Sequence, residues 1–165
     1  NFNRQLYALD STVNQSKAEV LKAGLLDIRP QADIKICKTF LDECNGKHLL
    51  SGADLLMDCV DDADTKVCLE KLAEELKIPL IHGAVEGWYG QVATIFPGDA
   101  LLERLYMYPK KQEVSALMPT VCAVAALQAG EALKLAAGCG ELLHQKVMFV
   151  DMLNSDFSWV TMQKV

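Results

Sequence analysis

One stretch of the sequence constrains the fold more than any other, an apolar run that ends in carboxylates. The run covers residues 53–60, and Asp61 and Asp62 follow it at once. A helical apolar pattern then continues to Leu76, and a second apolar segment begins at Pro79. This strand–helix–strand order predicts two parallel strands joined by a right-handed crossover in an α/β fold.

The rest of the first half extends this pattern in both directions. Residues 53–60 are apolar enough for a strand that is buried on both faces. Upstream, apolar spacing predicts a helix from Lys17 to Ile28 with Ser16 as its N-cap. Alternation over residues 33–37 predicts a strand, and a short irregular helix is expected near residues 45–51. We therefore predict a Rossmann-like three-layer fold with a mainly parallel sheet.

The pattern changes in residues 83–97, where glycines alternate with aromatic and β-branched side chains. Such glycines indicate bends or close backbone approach, so the sheet is expected to turn antiparallel in its C-terminal part. Residues 101–113 are interpreted as a linker-like crossover, and residues 119–137 as a buried helix, apolar almost all round. Residues 146–151 and 157–162 predict a closing hairpin.

Composition limits the class of protein. The chain has 165 residues, 51% of them hydrophobic, which suits a single domain with a sizeable core. A net charge of −6 argues against a nucleic-acid binder. No apolar run approaches the ~20 residues that span a bilayer, and no signal-like segment opens the chain, so we expect a cytoplasmic protein without membrane contact. The six cysteines form no C-x-x-C pair and are expected to be buried free thiols.

Six short blocks occur in order along the chain. They are Asn-x-Asn-Arg-Gln at 1–5, Ser-Lys-Ala-Glu at 16–19, Asp-Cys-Val-Asp-Asp at 58–62, Pro-Leu-Ile-His-Gly-Ala at 79–84, Gly-x-x-Gly-Gln-Val at 87–92 and Leu-Gln-Ala-x-Glu-Ala-Leu-Lys at 127–134. Together they resemble the ThiF/MoeB/HesA superfamily, the bacterial relatives of ubiquitin-activating enzymes. The chain opens at Asn1 without that family's first strand and Gly-rich loop. The resemblance thus implies an activating-enzyme domain over 1–165 that is incomplete at its N-terminus.

The resemblance also implies a reaction, ATP-dependent adenylation. The C-terminal carboxylate of a small ubiquitin-like or sulfur-carrier protein attacks the α-phosphate of MgATP, and pyrophosphate leaves. The pathway would be thiamine, molybdopterin or related sulfur transfer. ATP and Mg²⁺ are the implied cofactors, and the carrier protein and a second copy of the chain are the implied partners. We expect the homodimer to use residues 119–137, with apolar surface near them from Trp88, Tyr89, Leu101, Leu102, Leu105 and Tyr106.

The same resemblance assigns the site residues. Arg4 resembles the family arginine that contacts the triphosphate, Lys17 the lysine beside it, and Asp61 the catalytic carboxylate that works with magnesium. The supporting cofactor contacts are Asn3, Gln5 and Asp62. The position of Asp61 agrees with this independently, because ligands of open α/β sheets bind beyond the carboxyl ends of the strands. Mg²⁺ accepts one such carboxylate, with phosphate oxygens and water completing the octahedron.

Simpler interpretations of these residues stay open. Arg4 and Lys17 could be surface cations, and Asp62 could be the N-cap of the helix that follows it. Gly87 and Gly90 fit a structural bend better than a phosphate cradle. The histidines His82 and His144 are isolated in the sequence and are expected to be structural.

The departures from the family matter as well. The chain lacks the paired C-x-x-C motifs of zinc-binding relatives, so zinc is not expected. Residues 101–117 contain no cysteine, and the nearest thiol, Cys122, falls in the predicted buried helix. Two alternatives to an adenylyltransferase remain: a non-catalytic homologue that binds a partner, and a nicotinamide-dependent Rossmann oxidoreductase, for which the sequence offers no fingerprint.

Overall fold

The computed structural model describes residues 3–107 and 115–162. The chain divides into two compact units, Asn1–Phe40 (unit 1) and Leu41–Val165 (unit 2). A single domain over 1–165 stays a prediction. The two units are described separately below.

Unit 1 contains a short 3₁₀ helix, Asp10–Thr12, and the helix α1, Lys17–Ile28. The predicted bounds of α1 are confirmed. Ser16 occupies the N-cap position with an extended backbone, but its side chain makes no capping hydrogen bond. None of the residues described in unit 1 is buried. Ile28, at the end of α1, exposes 74% of its surface.

The strand predicted over residues 33–37 is wrong. Ala32, Ile34 and Ile36 are half-buried while the residues between them are exposed, so the alternation of the sequence survives in the burial pattern. Within residues 3–107 and 115–162, however, no strand pairs with this segment. A strand needs a hydrogen-bonded neighbour, which periodicity alone cannot supply.

Unit 2 is built on a five-stranded sheet whose spatial order follows the sequence. The strands are β1 Leu56–Met57, β2 Leu80–Glu86, β3 Tyr89–Ile95, β4 Lys146–Asp151 and β5 Asp156–Thr161. The pair β1–β2 is parallel, and the other three neighbouring pairs are antiparallel. The Rossmann-like α/β class, the antiparallel C-terminal part and the closing hairpin are confirmed. Among the described strands the parallel part is smaller than predicted.

The direction of the sheet changes at a two-residue turn, Gly87-Trp88, which joins β2 to β3. Gly87 has φ of +57°, a left-handed conformation that glycine adopts without steric cost. The glycines of this region therefore form a tight hairpin, as the bend interpretation predicts.

Four helices accompany the sheet. They are α2 Gly46–Leu49, α3 Ala63–Leu76, α4 Leu101–Leu105 and α5 Met118–Ala137. Successive residues of a strand face opposite sides of the sheet. On β2, Leu80 packs into the cluster with Leu69 and Ala73 of α3, whereas Gly83 lies against Gln128 of α5. The helices α3 and α5 thus cover opposite faces, which gives three layers.

The main hydrophobic core lies between the sheet, α3 and α4. Its buried members are Leu56, Leu69, Ala73, Leu80, Ala93, Ile95, Leu101, Leu102 and Val147. The buried Glu70 carboxylate of α3 accepts hydrogen bonds from the backbone N–H groups of Leu101, Leu102 and Glu103, at 2.6–3.0 Å, and so caps α4. The predicted crossover therefore begins as an anchored helix, and its later residues, 108–113, lie outside the described part of the chain.

Strand β1 is buried on only one face, so the prediction of two buried faces is wrong. Leu56 and Asp58 are buried, whereas Met57 exposes 41% of its surface and Cys59 is exposed. The helix α5 packs on β2 and β3, and its Gln128 side chain reaches the Asp58 carbonyl just beyond the end of β1. Apolar composition overstated the burial because it does not reveal how far the covering helix reaches.

Helix α5 is also less buried than predicted. It buries Thr120, Val124, Gln128 and Glu131 against the sheet, while Leu133 exposes 71% of its surface. By length and composition alone this helix could cross a bilayer, contrary to the expectation that no apolar run is long enough. Its two large buried side chains are polar and hydrogen-bonded, which is the pattern of a helix that covers a sheet.

The thiols are mostly at the surface, so the prediction of buried cysteines is wrong. Cys68 is half-buried, and the other five are exposed: Cys37, Cys44, Cys59, Cys122 and Cys139. Cys122 is exposed because α5 turns only one narrow side toward the sheet.

Candidate functional site

The carboxyl end of the parallel pair β1–β2 carries the acidic cluster. Asp58 directly follows β1 and is fully buried, and its backbone N–H still donates to the Ile81 carbonyl at 2.9 Å. Three residues later the chain emerges at the surface, where Asp61 and Asp62 are exposed. One side of the cluster therefore lies inside the protein and the other faces solvent.

Asp62 is the N-cap of α3, as the simpler interpretation predicts. Its carboxylate accepts from the Thr65 backbone N–H at 2.8 Å and from the Thr65 hydroxyl at 2.7 Å. The hydroxyl bond is the largest of the effects that hold the pKa of Asp62 below its ordinary value. This role fixes the start of α3 and with it the position of the preceding residue, Asp61.

A buried ion pair lies behind the exposed carboxylates. The Lys66 ammonium, on the first turn of α3, donates to both oxygens of Asp58, at 3.0 and 2.9 Å. It also donates to the Gly83 carbonyl of β2 at 2.8 Å. Lys66 is only 3% exposed, so both charges are removed from water and depend on each other. The pair joins β1, β2 and α3 at one point.

His82 belongs to the same cluster, so a histidine that is isolated in the sequence has a carboxylate partner in the fold. Its Nδ1 lies 2.7 Å from Asp58 Oδ2, and because an ionised carboxylate only accepts, Nδ1 donates. Its Nε2 is buried and has no hydrogen-bond partner. The Tyr106 ring packs edge-on against the imidazole at 6.0 Å, and burial, with the nearby Asp58 charge, raises the pKa of Tyr106.

The ion pair determines the charge of Asp58. Burial alone would raise the pKa of this carboxyl, but the hydrogen bond from His82 and the positive charge of Lys66 outweigh it, so the pKa lies below its ordinary value. Asp58 is thus a permanent buried anion near neutral pH. Its environment makes it a structural carboxylate, whereas the exposed Asp61 can approach a ligand.

The second histidine also has a carboxylate partner. His144 Nε2 lies 3.1 Å from Asp99 Oδ2, and its ring packs edge-on against Phe96. This pair lies at the start of the α4 region and touches none of the predicted site residues by any described contact. The expectation that His144 has a structural role agrees with this position.

The predicted phosphate-contacting residues lie in unit 1. Arg4 is half-buried and donates to the Asn3 side-chain oxygen at 3.2 Å. The Gln5 carbonyl accepts from the Ala8 N–H in a turn. Lys17 is the first residue of α1 and is exposed. Unit 1 thus places Asn3, Arg4 and Gln5 together, while Asp61 and Asp62 belong to unit 2. The catalytic and cofactor-binding roles of these residues stay predictions.

A magnesium ion would have one protein ligand here. Across the described residues, no group of three or more His, Cys, Asp or Glu side chains could hold a metal ion. Mg²⁺ does not require such a cage, because it commonly takes one or two carboxylates and completes its shell with phosphate oxygens and water. The exposed Asp61 carboxylate fits that kind of site and would hold the ion only together with a nucleotide.

Two residues of the site were missed by sequence reasoning. The sequence pattern places Lys66 in an ordinary helix and Gln128 in a block shared with the family, and it assigns neither residue to the site. A signal for Lys66 was present, because an aspartate inside an apolar strand needs a buried cation. Gln128 gave no such signal. Its contacts depend on the packing of α5 on the sheet.

Comparison with known proteins places the chain in a family. The model of the ThiF family matches residues 1–165, and the chain belongs to that family. It is 30% identical over 165 residues to the molybdopterin-synthase adenylyltransferase of Escherichia coli, covering 95% of this chain and 66% of that protein. It is 28% identical over 171 residues to the SAMP-activating enzyme E1 of Haloferax volcanii, covering 97% of this chain and 62% of that enzyme.

Solved structures support the fold. The crystal structure of E. coli MccB with ATP matches with a TM-score of 0.82 at 17% identity, over 98% of this chain and 52% of that one. The structure of PaaA matches with a TM-score of 0.77 at 13% identity, over 99% of this chain and 60% of that one. The chain spans less than two thirds of the length of the first relatives it matches, from 35% to 66% among those with a curated name.

Proposed function

We propose that the protein containing this chain is an ATP-dependent adenylyltransferase that activates the C-terminus of a ubiquitin-like or sulfur-carrier protein. One observation carries the proposal: an exposed carboxylate, Asp61, stands at the carboxyl end of the parallel strand pair and directly precedes a capped helix. Its relatives named adenylyltransferase and activating enzyme support the reaction class.

In this proposal the residues act by position and charge. Arg4 and Lys17 neutralise the triphosphate, and Asn3 and Gln5 add polar contacts to the nucleotide. Asp61 holds the magnesium ion, which supplies charge neutralisation on the phosphates when it is bound. Adenylation needs little covalent chemistry from the protein, because alignment of the carboxylate with the α-phosphate and electrostatic stabilisation account for most of the rate.

Pyrophosphate–ATP exchange in the presence of the cognate carrier tests the proposal in the full-length protein. Asp61→Asn should lower the exchange rate by at least ~10²-fold, the usual effect of removing one electrostatic stabiliser. The matched control is Asp64→Asn, an exposed aspartate in the first turn of α3, which should leave the rate within about twofold. Equal rates for Asp61→Asn and wild type would contradict the role of Asp61.

The cations have a matched control of their own. Arg4→Ala and Lys17→Ala should each reduce exchange by a similar factor of ~10² or more. The control Lys22→Ala removes the other lysine of α1 and should leave the exchange rate almost unchanged. Carrier binding without any exchange in the wild-type protein would instead support the non-catalytic, partner-binding homologue.

We also propose a cytoplasmic homodimer. Trp88 and Tyr89 expose 42% and 52% of their surfaces, and Met118 and Leu133 of α5 are exposed as well, which supports an interface formed by apolar surface of unit 2. Leu101 and Leu102 are buried in the core of unit 2, so their predicted place in the interface is wrong. A dimer should bury upwards of ~1,200 Å². Light scattering that gives a monomer mass at micromolar concentration would exclude it.

A further inference from the structure

Asp58 is held from both faces of the sheet. On the α3 face its side chain is bound by Lys66 and His82. On the α5 face its backbone carbonyl accepts from the Gln128 side-chain amide at 2.9 Å. Gln128 and Lys66 are 5% and 3% exposed. Two buried side chains from helices on opposite sides of the sheet therefore converge on a single residue.

The two contacts also tie β1 to β2. Lys66 reaches the Gly83 carbonyl, and Gln128 reaches the Ile81 carbonyl at 3.3 Å. The close approach of Gln128 requires a glycine at position 83, because a Cβ there would lie 2.3 Å from the Gln128 amide carbon. The carboxyl ends of both parallel strands are thus joined by polar contacts above and below the sheet.

The contacts of Lys66 and Gln128 with Asp58, called the clamp below, continue along the chain toward the surface. The Val60 N–H donates to Asp58 Oδ1 at 3.1 Å, which folds the chain back onto the clamped carboxylate. Asp62, on the other side of Asp61, is fixed as the N-cap of α3. Asp61 therefore stands between two residues whose positions are set by hydrogen bonds, although it is itself exposed.

We propose that Lys66 and Gln128 are positioning residues that hold the turn 58–62 so that Asp61 presents its carboxylate to magnesium-bound nucleotide. The inference rests on the proposed function. A buried ion pair adds little net stability compared with an apolar pair of similar volume. Stability therefore does not explain why these contacts are polar. The placement of Asp61 does explain it, because hydrogen bonds fix the geometry of the turn.

The first test is the magnesium dependence of pyrophosphate exchange in Gln128→Met, which keeps the volume and removes both amide hydrogen bonds. The Mg²⁺ concentration for half-maximal exchange should rise by roughly 3- to 10-fold, the effect of one lost net hydrogen bond. The control is Val124→Ala, one turn earlier on the buried side of α5 and away from Asp58. Val124→Ala should lower the melting temperature and leave the magnesium midpoint unchanged.

Lys66 is tested by three variants. Lys66→Arg keeps the charge and should retain the wild-type magnesium midpoint more closely than Lys66→Met. Where Lys66→Met does not fold, the double variant Asp58→Asn/Lys66→Met removes both charges together and should fold with a raised midpoint. Folded Gln128→Met and Lys66 variants with the wild-type midpoint would reduce both residues to a purely structural role and overturn the proposal.

A second readout separates this inference from the proposed function. Amide hydrogen exchange at Val60, whose N–H donates to Asp58, should be at least ~10-fold faster in Gln128→Met than in Val124→Ala, because the turn then lacks the hydrogen bonds from Gln128. An inactive wild-type protein with this acceleration would reject adenylation and keep the clamp. An active wild-type protein without it would keep adenylation and reject the clamp.

Discussion

The two units hold the residues predicted for the site in different ways. Asp61 of unit 2 follows a fully buried aspartate whose carboxylate is bound by Lys66 and His82. Arg4 and Lys17 belong to unit 1, where none of the described residues is buried. The predicted carboxylate is therefore fixed by the core of its own unit, while the predicted cations lie on an exposed helix and turn. The rigidity of a binding residue depends on the buried residues that support it.

The buried ion pair should show the largest effect. Lys66→Met leaves the buried Asp58 carboxylate without its lysine partner and should lower the free energy of unfolding by about 3–5 kcal/mol. The control is Lys47→Met, which breaks an exposed pair with Glu75 at 3.6 Å and should cost no more than ~1 kcal/mol. Denaturant unfolding of both variants measures the difference. Equal losses would remove the contrast between buried and exposed charge.

Apolar truncation compares the units directly. Leu80→Ala, at a fully buried position of β2, should cost about 2–5 kcal/mol. Ile28→Ala, at the exposed end of α1, should change the unfolding free energy by no more than ~0.5 kcal/mol. The same denaturant experiment applies. A loss at Ile28 as large as that at Leu80 would mean that unit 1 has a core of its own.

The pH dependence of the unfolding free energy should follow the ionisation of Asp58. Because its pKa is lowered in the folded state, its contribution to stability is present above the unfolded value of ~3.9 and is lost as the pH falls through the lower, folded value. The free energy of unfolding should therefore decrease in acid. Between pH 5 and pH 2 this decrease should be less steep for Asp58→Asn than for the wild type. Identical slopes in wild type and variant would contradict the assignment.

The smallest effect is expected at an exposed thiol of unit 2. Cys122→Ser should change the unfolding free energy by no more than ~0.5 kcal/mol, because this side of α5 faces solvent. In the native protein Cys122 should react with a thiol reagent faster than the half-buried Cys68. Slow labelling of Cys122 would show that its surface is covered, for instance by a second copy of the chain.

The sequence predicts the elements that local signals decide. The limits of α1, the Asp62 cap and the hairpin β4–β5 follow from spacing, capping chemistry and alternation. The strand over 33–37 failed because strand formation depends on a partner elsewhere in the chain. The predicted burial of the cysteines is wrong because apolar neighbours in sequence do not show which side of a helix or strand is covered.

The candidate site also contains residues that the sequence predicts and residues that it does not. Asp61 was found from a pattern, since carboxylates after an apolar strand point to the edge where α/β proteins bind ligands. The clamp of Lys66 and Gln128 was not found, because it joins residues 8 and 70 positions away from Asp58 through packing on opposite sheet faces. Periodicity assigns a residue to a helix but does not specify its long-range partners.

Amide hydrogen exchange across the whole chain tests the central comparison most directly. The account predicts that amides of β2 and β3, such as Ile81 and Ala93, exchange only through global unfolding, since both residues are fully buried. Amides in the middle of α1 should exchange at least ~100-fold faster, through local opening of a helix without buried residues. Protection of α1 equal to that of β2 would contradict the account, because the predicted site residues of both units would then be equally anchored.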